Sequence, residues 1–165
     1  MVEVFLGLGS NLGDREENLR EALRRLAGGV QIDAVSSFYD TDPVGYLDQR
    51  AFLNAVCSGQ TELTPEDLLA LAKSVEAEMG RQPTFRDGPR LIDVDILAYG
   101  NEVAITDALT IPHQRMAERA FVLVPLAEIA PGWRHPVLGK TARELAAGAS
   151  HDGVRPLSGR GARVL

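Results

Sequence analysis

Two capped amphipathic helices, each set between apolar extended runs, dictate what this chain can fold into. In "DREENLREALRRLAGG" (14–29), Asp14 and Glu17 make a capping-box-like start. Leu19, Ala22, Leu23 and Leu26 then share one helical face, and Gly28 and Gly29 end the segment. In "TPEDLLALAKSVEAEMG" (64–80), Thr64 is the N-cap and Pro65 the first helical residue. The apolar stripe runs through Leu68, Leu71, Ala72, Val75 and Met79, and Gly80 terminates it. Strands are predicted over "VEVFLGL" (2–8), "VQIDAVSSFY" (30–39), "FLNAVCS" (52–58) and along "GPRLIDVDIL" (88–97). The resulting order, β-α-β-β-α-β, predicts a ferredoxin-like α+β sandwich with two helices on one face of an antiparallel sheet. Appended to it are a turn and short strand in "YGNEVAIT", a helix in "RAFVLVPLAEIAP" broken near Pro125, and a short final helix in "TARELAAG". From Ser150 onward the Gly/Arg-rich "SHDGVRPLSGRGARVL" reads as a loosely attached tail. At 165 residues and 45% hydrophobic content, a single domain over 1–165 can bury one sizeable core.

The net charge of -6 argues against a nucleic-acid partner, whose footprint would be basic. A polyanionic ligand must therefore meet a local basic cluster. The one cysteine, Cys57, permits neither a disulfide framework nor a zinc spacing and reads as a buried, inert thiol. "MVEVFLGLGSNLGD" lacks the basic start of a signal peptide, and no run approaches the roughly 18 apolar residues of a membrane span. A soluble protein of the reducing cytoplasm, with no membrane partner, is expected.

The chemistry gathers at "GPRLIDVDIL". Strand alternation puts Asp93 and Asp95 on one face and Ile92, Val94 and Ile96 on the other. The two acids are then about 6.6 Å apart, and at an effective dielectric near 20 they repel by about 2.5 kcal/mol. A bound cation would offset that cost, and so would simple exposure to water. The preceding "GRQPTFRDGPR" brings Arg81, Arg86 and Arg90 beside the acids, while Gly80, Pro83, Gly88 and Pro89 forbid a regular element. Such a set suits a magnesium-polyphosphate complex, in which carboxylates hold the hard cation and guanidinium forks hold phosphate oxygens. The arginines could equally serve only to neutralise the acids. Glycines 7, 9 and 13 miss the dinucleotide fingerprint spacing, and there is no P-loop, so "GSNLG" reads as a strand-to-helix turn. Glu76 could hold a sugar hydroxyl or be an exposed helical acid. His113 and Arg119 could reach a phosphate or base or be structural.

Taken together, "GLGSNLGDR", "SSFYDTDPVG", "FLNAV" and "RDGPRLIDVDIL" resemble the 6-hydroxymethyl-7,8-dihydropterin pyrophosphokinase family over roughly residues 3–130, with every motif in order. The resemblance implies transfer of an intact diphosphoryl group from ATP to the pterin hydroxymethyl oxygen, leaving AMP, in folate biosynthesis. It also implies two Mg2+ ions held by Asp93 and Asp95, and a triphosphate gripped by Arg81, Arg90 and Arg119. Thr110 and His113 fall on the nucleotide side, and Glu76 and Ile96 around ribose and adenine. Arg86 is the implied partner of Arg81. For the pterin it implies backbone groups of Thr41, Asp42, Pro43, Val44 and Gly45, a hydrogen bond from Asn54, and rings at Phe52 and Phe121. The enzyme is expected to be a monomer. Phe52 departs from the tyrosine frequent in the family, Lys73 from a glutamine on the nucleotide side, and Ala108 from a basic residue; the arginine loop is a residue shorter than in some relatives. Two other classes share parts of this pattern. A magnesium-dependent phosphohydrolase would use the same acids and arginines on water, and a ligand-sensing module would leave the acids as a wet strand face.

Overall fold

The computed structural model describes residues 1–157 and the backbone of 163–164. Its main sheet is built from β1 (Val2–Ser10), β2 (Gln31–Val35), β3 (Tyr39–Thr41), β4 (Phe52–Thr61), β5 (Asp93–Tyr99), β8 (Val154–Pro156) and β9 (Arg163–Val164), while β6 (Ala104–Ile105) and β7 (Thr110–Ile111) form a separate ribbon. The strand order is β5-β1-β4-β2-β9, with β3 also on β4 and β8 on β3, and every pairing is antiparallel. This α+β architecture with an antiparallel sheet agrees with the sequence.

Helix α1 (Arg15–Leu26) starts where expected, with the Asp14 carboxylate accepting from Glu17 N–H. Helix α2 (Pro65–Glu78) starts at Thr64, whose hydroxyl accepts from Asp67 N–H. It ends in a Schellman turn, with Gly80 at φ 87°, Gly80 N–H on Ala77 O and Arg81 N–H on Glu76 O, both at 3.0 Å. That turn delivers Arg81 directly above Glu76. Both helices pack on one face, where Leu19, Leu26, Leu68 and Val75 meet Val4, Leu6, Leu8, Val94 and Ile96.

The other face is also covered. Phe5, Val56 and Leu97 pack beneath α3 (Ala120–Ile129) and α4 (Ala142–Ala147) through Val122, Leu126 and Ala142. Pro125 lies inside α3 without breaking it, contrary to expectation. Its missing N–H removes one bond to the Phe121 carbonyl, a cost of about 3 kcal/mol that the burial of Val122, Leu123 and Leu126 offsets.

The predicted strand 30–39 divides at Ser36–Phe38. Ser37 donates N–H and Oγ to the Glu128 carboxylate of α3 at 2.9 and 2.6 Å, which takes its backbone out of the ladder. The segment from Ser150 onward, read as a loose tail, contributes β8, which pairs with β3; its Gly/Arg-rich part at 158–162 lies outside the described residues. No helix among the described residues is long and apolar enough to cross a membrane.

Candidate active site

The cleft lies on the α3 side of the sheet, and its floor is made by missing side chains. On β1, residues 5, 7 and 9 share one face, where Phe5 packs and Gly7 and Gly9, without side chains, line the cleft. Across the strands, Asp95 sits opposite Gly7 and Asp93 opposite Gly9, and Gly9 in turn faces Asn54. A Cβ on Gly9 would come within 2.8 Å of Asn54 Nδ2. From sequence, Gly7 falls in the first predicted strand and Gly9 in the strand-to-helix turn; that both line the cleft follows only from the register of β1.

Asp93 and Asp95 fall on the same face, as alternation requires, and both line a cleft of about 760 Å³ counted with its open mouth. Their surroundings differ. Asp93 is ion-paired on both oxygens, Oδ1 to Arg81 Nη1 at 3.3 Å and Oδ2 to Arg90 Nη1 at 3.1 Å. The Asp95 carboxyl is pushed up to about 7, mainly by burial and next by the charge of Asp93. Arg90 Nε is buried without a partner among the described residues, so one guanidinium donor still awaits an acceptor.

Glu76 is neither an exposed acid nor a lining residue. It is 4% exposed, and its Oε2 accepts from Val94 N–H at 2.9 Å, the peptide between the two aspartates. Its Oε1 is 2.8 Å from Arg81 Nη1 and 3.5 Å from Lys73 Nζ. β5 is the edge of the sheet, so Val94 N–H has no strand to bond, and Glu76 serves in its place.

On the pterin side expected from sequence, Thr41, Asp42, Val44, Phe52, Asn54 and Phe121 line this same cleft, whereas Pro43 and Gly45 do not. The Asn54 amide is fixed at both ends: Oδ1 accepts from Thr41 Oγ1 at 2.6 Å and Nδ2 donates to Leu8 O at 3.3 Å. Thr41 is held in turn through β3, where Tyr39 OH donates to Glu128 at 2.8 Å; burial and then Glu128 push the Tyr39 pKa up and keep its proton on. The tail contributes as well, since Asp42 N–H bonds Gly153 O at 2.8 Å and Arg155 Nη2 reaches Asp42 Oδ1 at 3.0 Å.

A second groove shares Asp95 and Arg119 with the first and is lined by Lys73, Ile96, Thr110 and His113. The Arg119 guanidinium lies 5.5 Å from the Phe121 ring centroid, and burial, then Arg115, lower its pKa. Burial, then Arg119, lower the His113 pKa as well, and its Nδ1 accepts from Arg115 N–H at 3.2 Å. With Nδ1 accepting, the proton of a neutral ring lies on Nε2. Arg86 is exposed and shares a third recess with Arg81 and Arg90, formed by the irregular loop 81–90.

Comparison with known proteins decides between the readings of this cleft. The model of the family described as 7,8-dihydro-6-hydroxymethylpterin-pyrophosphokinase matches residues 5–131. The chain belongs to this family. The pyrophosphokinase chain is 46% identical to the 2-amino-4-hydroxy-6-hydroxymethyldihydropteridine pyrophosphokinase of Methylorubrum extorquens, over 93% of this chain and 98% of that one. It is 50% identical to the protein of the same name from Bacillus subtilis, over 76% of each. With the Dictyostelium discoideum folic acid synthesis protein FOL1 it shares 44% identity over 86% of its own length but spans only 22% of that longer protein. Among solved structures, it aligns over its whole length with 49% of a Plasmodium falciparum HPPK-DHPS chain, at TM-score 0.71 and 15% identity, a likeness of fold.

Proposed function

We propose that the two sides of this cleft carry out the two halves of one transfer. The chain is a transferase of folate biosynthesis, a pyrophosphokinase that moves diphosphate from ATP to the hydroxymethyl group of 6-hydroxymethyl-7,8-dihydropterin and leaves AMP. The observation that carries the assignment of residues is the single cleft that joins a carboxylate pair and two arginines to a braced amide and two aromatic rings. In this reading Asn54, Phe52 and Phe121 hold the pterin, with the backbone of 41–45 along its edge. Arg90 and Arg119 hold the phosphates, Arg81 and Arg86 approach from the loop, and Lys73, Glu76, Ile96, Thr110 and His113 belong to the nucleotide side, Glu76 from behind β5. The pterin hydroxyl oxygen bonds to the β-phosphorus as the bond from that phosphorus to the oxygen on the α-phosphate breaks. AMP keeps the bridging oxygen, and the hydroxyl proton passes to water.

The donor set fits Mg2+. Among the described residues no cluster of three or more His, Cys, Asp or Glu side chains could hold a metal, so Asp93 and Asp95 would supply two carboxylates and the phosphates and water the remainder. Two such ions, when bound, would neutralise the phosphates and orient the reacting oxygens. The chain's own residues must then release Asp93: Arg81 and Arg90, which occupy its oxygens, turn to the phosphates as these arrive. The supporting topology is ferredoxin-like, because the order β5-β1-β4-β2, with α1 after β1 and α2 after β4, is the split β-α-β arrangement. The reading includes a single domain, a monomer, and a cytoplasmic setting that suits the free, buried Cys57.

Product analysis with ATP, magnesium and the reduced pterin tests it. AMP with pterin diphosphate is expected; ADP or free phosphate would mean transfer to water or of a single phosphoryl group. A second expectation separates the two halves. Asn54→Ala should weaken pterin binding by about 1–3 kcal/mol and leave ATP binding nearly unchanged, because the Asn54 amide is held by Thr41 and Leu8 O rather than by the arginines. Calorimetry showing equal losses for both ligands would contradict this.

A further inference from the structure

Glu128 sits in the last turn of α3 and does not line the cleft, yet three donors from one short stretch converge on it. Its Oε1 accepts from Ser37 N–H at 2.9 Å and from Tyr39 OH at 2.8 Å, and its Oε2 from Ser37 Oγ at 2.6 Å. Ser37 and Tyr39 are both buried. Hydrogen bonds to a carboxylate are directional, unlike the apolar contacts of Val122 and Leu126 that hold α3 against the sheet. The carboxylate therefore fixes where along the sheet the helix stands.

Both ends of this link lead to the pterin side of the cleft. Seven residues before Glu128, two helical turns and about 10 Å along the axis, α3 presents Phe121 to the cleft. On the sheet, Tyr39 pairs with Asn54 and Thr41 with Phe52, and paired residues turn their side chains to one face. The strand that carries the Tyr39 hydroxyl thus also carries the Thr41 hydroxyl that orients the Asn54 amide. One wall stands on α3 and the other on β3 and β4, with Glu128 bonded across the gap.

We infer that Glu128 is a positioning residue that sets the spacing of Phe121 from Phe52 and Asn54, so that pterin affinity depends on a carboxylate outside the pterin site. A flat ring gains from two walls only when both are in contact with it; a gap of about 0.5–1 Å forfeits roughly a quarter to a half of the attraction. The inference rests on the proposed placement of the pterin between Phe52 and Phe121.

Three substitutions grade the link. Tyr39→Phe removes one donor and keeps the ring, Glu128→Ala removes the acceptor, and Glu128→Gln keeps an oxygen for Ser37 N–H and Tyr39 OH while its amide can donate to Ser37 Oγ. The probe is oxidised 6-hydroxymethylpterin, titrated into folded protein with saturating magnesium and α,β-methylene ATP. Its Kd should rise about threefold in Tyr39→Phe and about tenfold in Glu128→Ala, and return to within about threefold of wild type in Glu128→Gln. The Kd of the nucleotide analogue should change less than about twofold in Tyr39→Phe, because Tyr39 reaches only Glu128 and not the arginines. Tyr39→Phe leaves both Ser37 bonds in place and decides the matter if the alanine variant does not fold. Phe121→Ala should itself weaken pterin binding about tenfold or more, and in that background, with no ring left to place, Tyr39→Phe should have almost no further effect. Equal losses for pterin and nucleotide, or the same Tyr39→Phe factor with and without Phe121, would overturn the inference and leave Glu128 a structural brace. Pterin affinity unchanged in Phe121→Ala would instead overturn the placement of the pterin, and the inference with it.

Discussion

Asp95→Asn is expected to lower AMP formation on the order of a hundredfold or more while leaving the ligand-free protein as stable as the wild type or more so. The two effects have one cause. Asp95 is held at a pKa of about 7 by burial and by Asp93, so its charge costs the folded protein free energy when no cation is present. Asp93 is the poorer choice for this test, because its charge is matched by Arg81 and Arg90. The pH dependence follows. Between its ordinary value of 3.8 and about 7, Asp95 keeps in the fold a proton that the unfolded chain has released. Ligand-free stability therefore falls as pH rises through that window, and Asp95→Asn should remove this part of the slope. Added magnesium with α,β-methylene ATP should raise the wild-type stability by about 2.7 kcal/mol at a hundredfold excess over its dissociation constant. Asp95→Asn should lose most of that gain. Thermal melts at several pH values, with and without these ligands, make the comparison; near-normal AMP formation with an unchanged ligand-induced shift would return the aspartates to a wet strand face.

Glu76→Ala should cost about 2–3 kcal/mol of folding stability and lower turnover as well. The alanine leaves Val94 N–H buried without an acceptor and frees Arg81 from one of its two carboxylates. Glu76→Gln keeps an acceptor of the same reach, so it should cost roughly half as much. Urea unfolding of both variants measures the difference. An alanine variant within about 0.5 kcal/mol of wild type would show that the brace contributes little.

What was legible in the sequence was whatever a local rule could decide. Asp14 and Thr64 declared their helix starts through their side chains, and the period of two put Asp93 and Asp95 on one face before any partner strand was known. What was hidden depended on distant partners. Glu76 looks like any polar residue late in a helix until β5 is laid beside it. Ser36 and Ser37 look like strand until Glu128, 91 residues beyond Ser37, draws the backbone aside. Asn11 and Gln49, 38 residues apart, carry no signal of their pairing in the local pattern. Pro125 follows the same logic in reverse, since a strong local breaker yields to the burial of its neighbours.

The position of β5 at the sheet edge has a consequence for the company the protein keeps. An edge strand offers open N–H and C=O groups, and a second polypeptide can add to them and start an aggregate. Here Glu76 occupies Val94 N–H, and His113 N–H occupies Leu97 O at 2.9 Å. The edge is blocked at two points by the protein's own chain. The two blocked groups and the two aspartates all lie on one seven-residue strand. A variant that loses the Glu76 brace exposes an adhesive edge as well as a loosened site, and self-association should accompany its loss of stability.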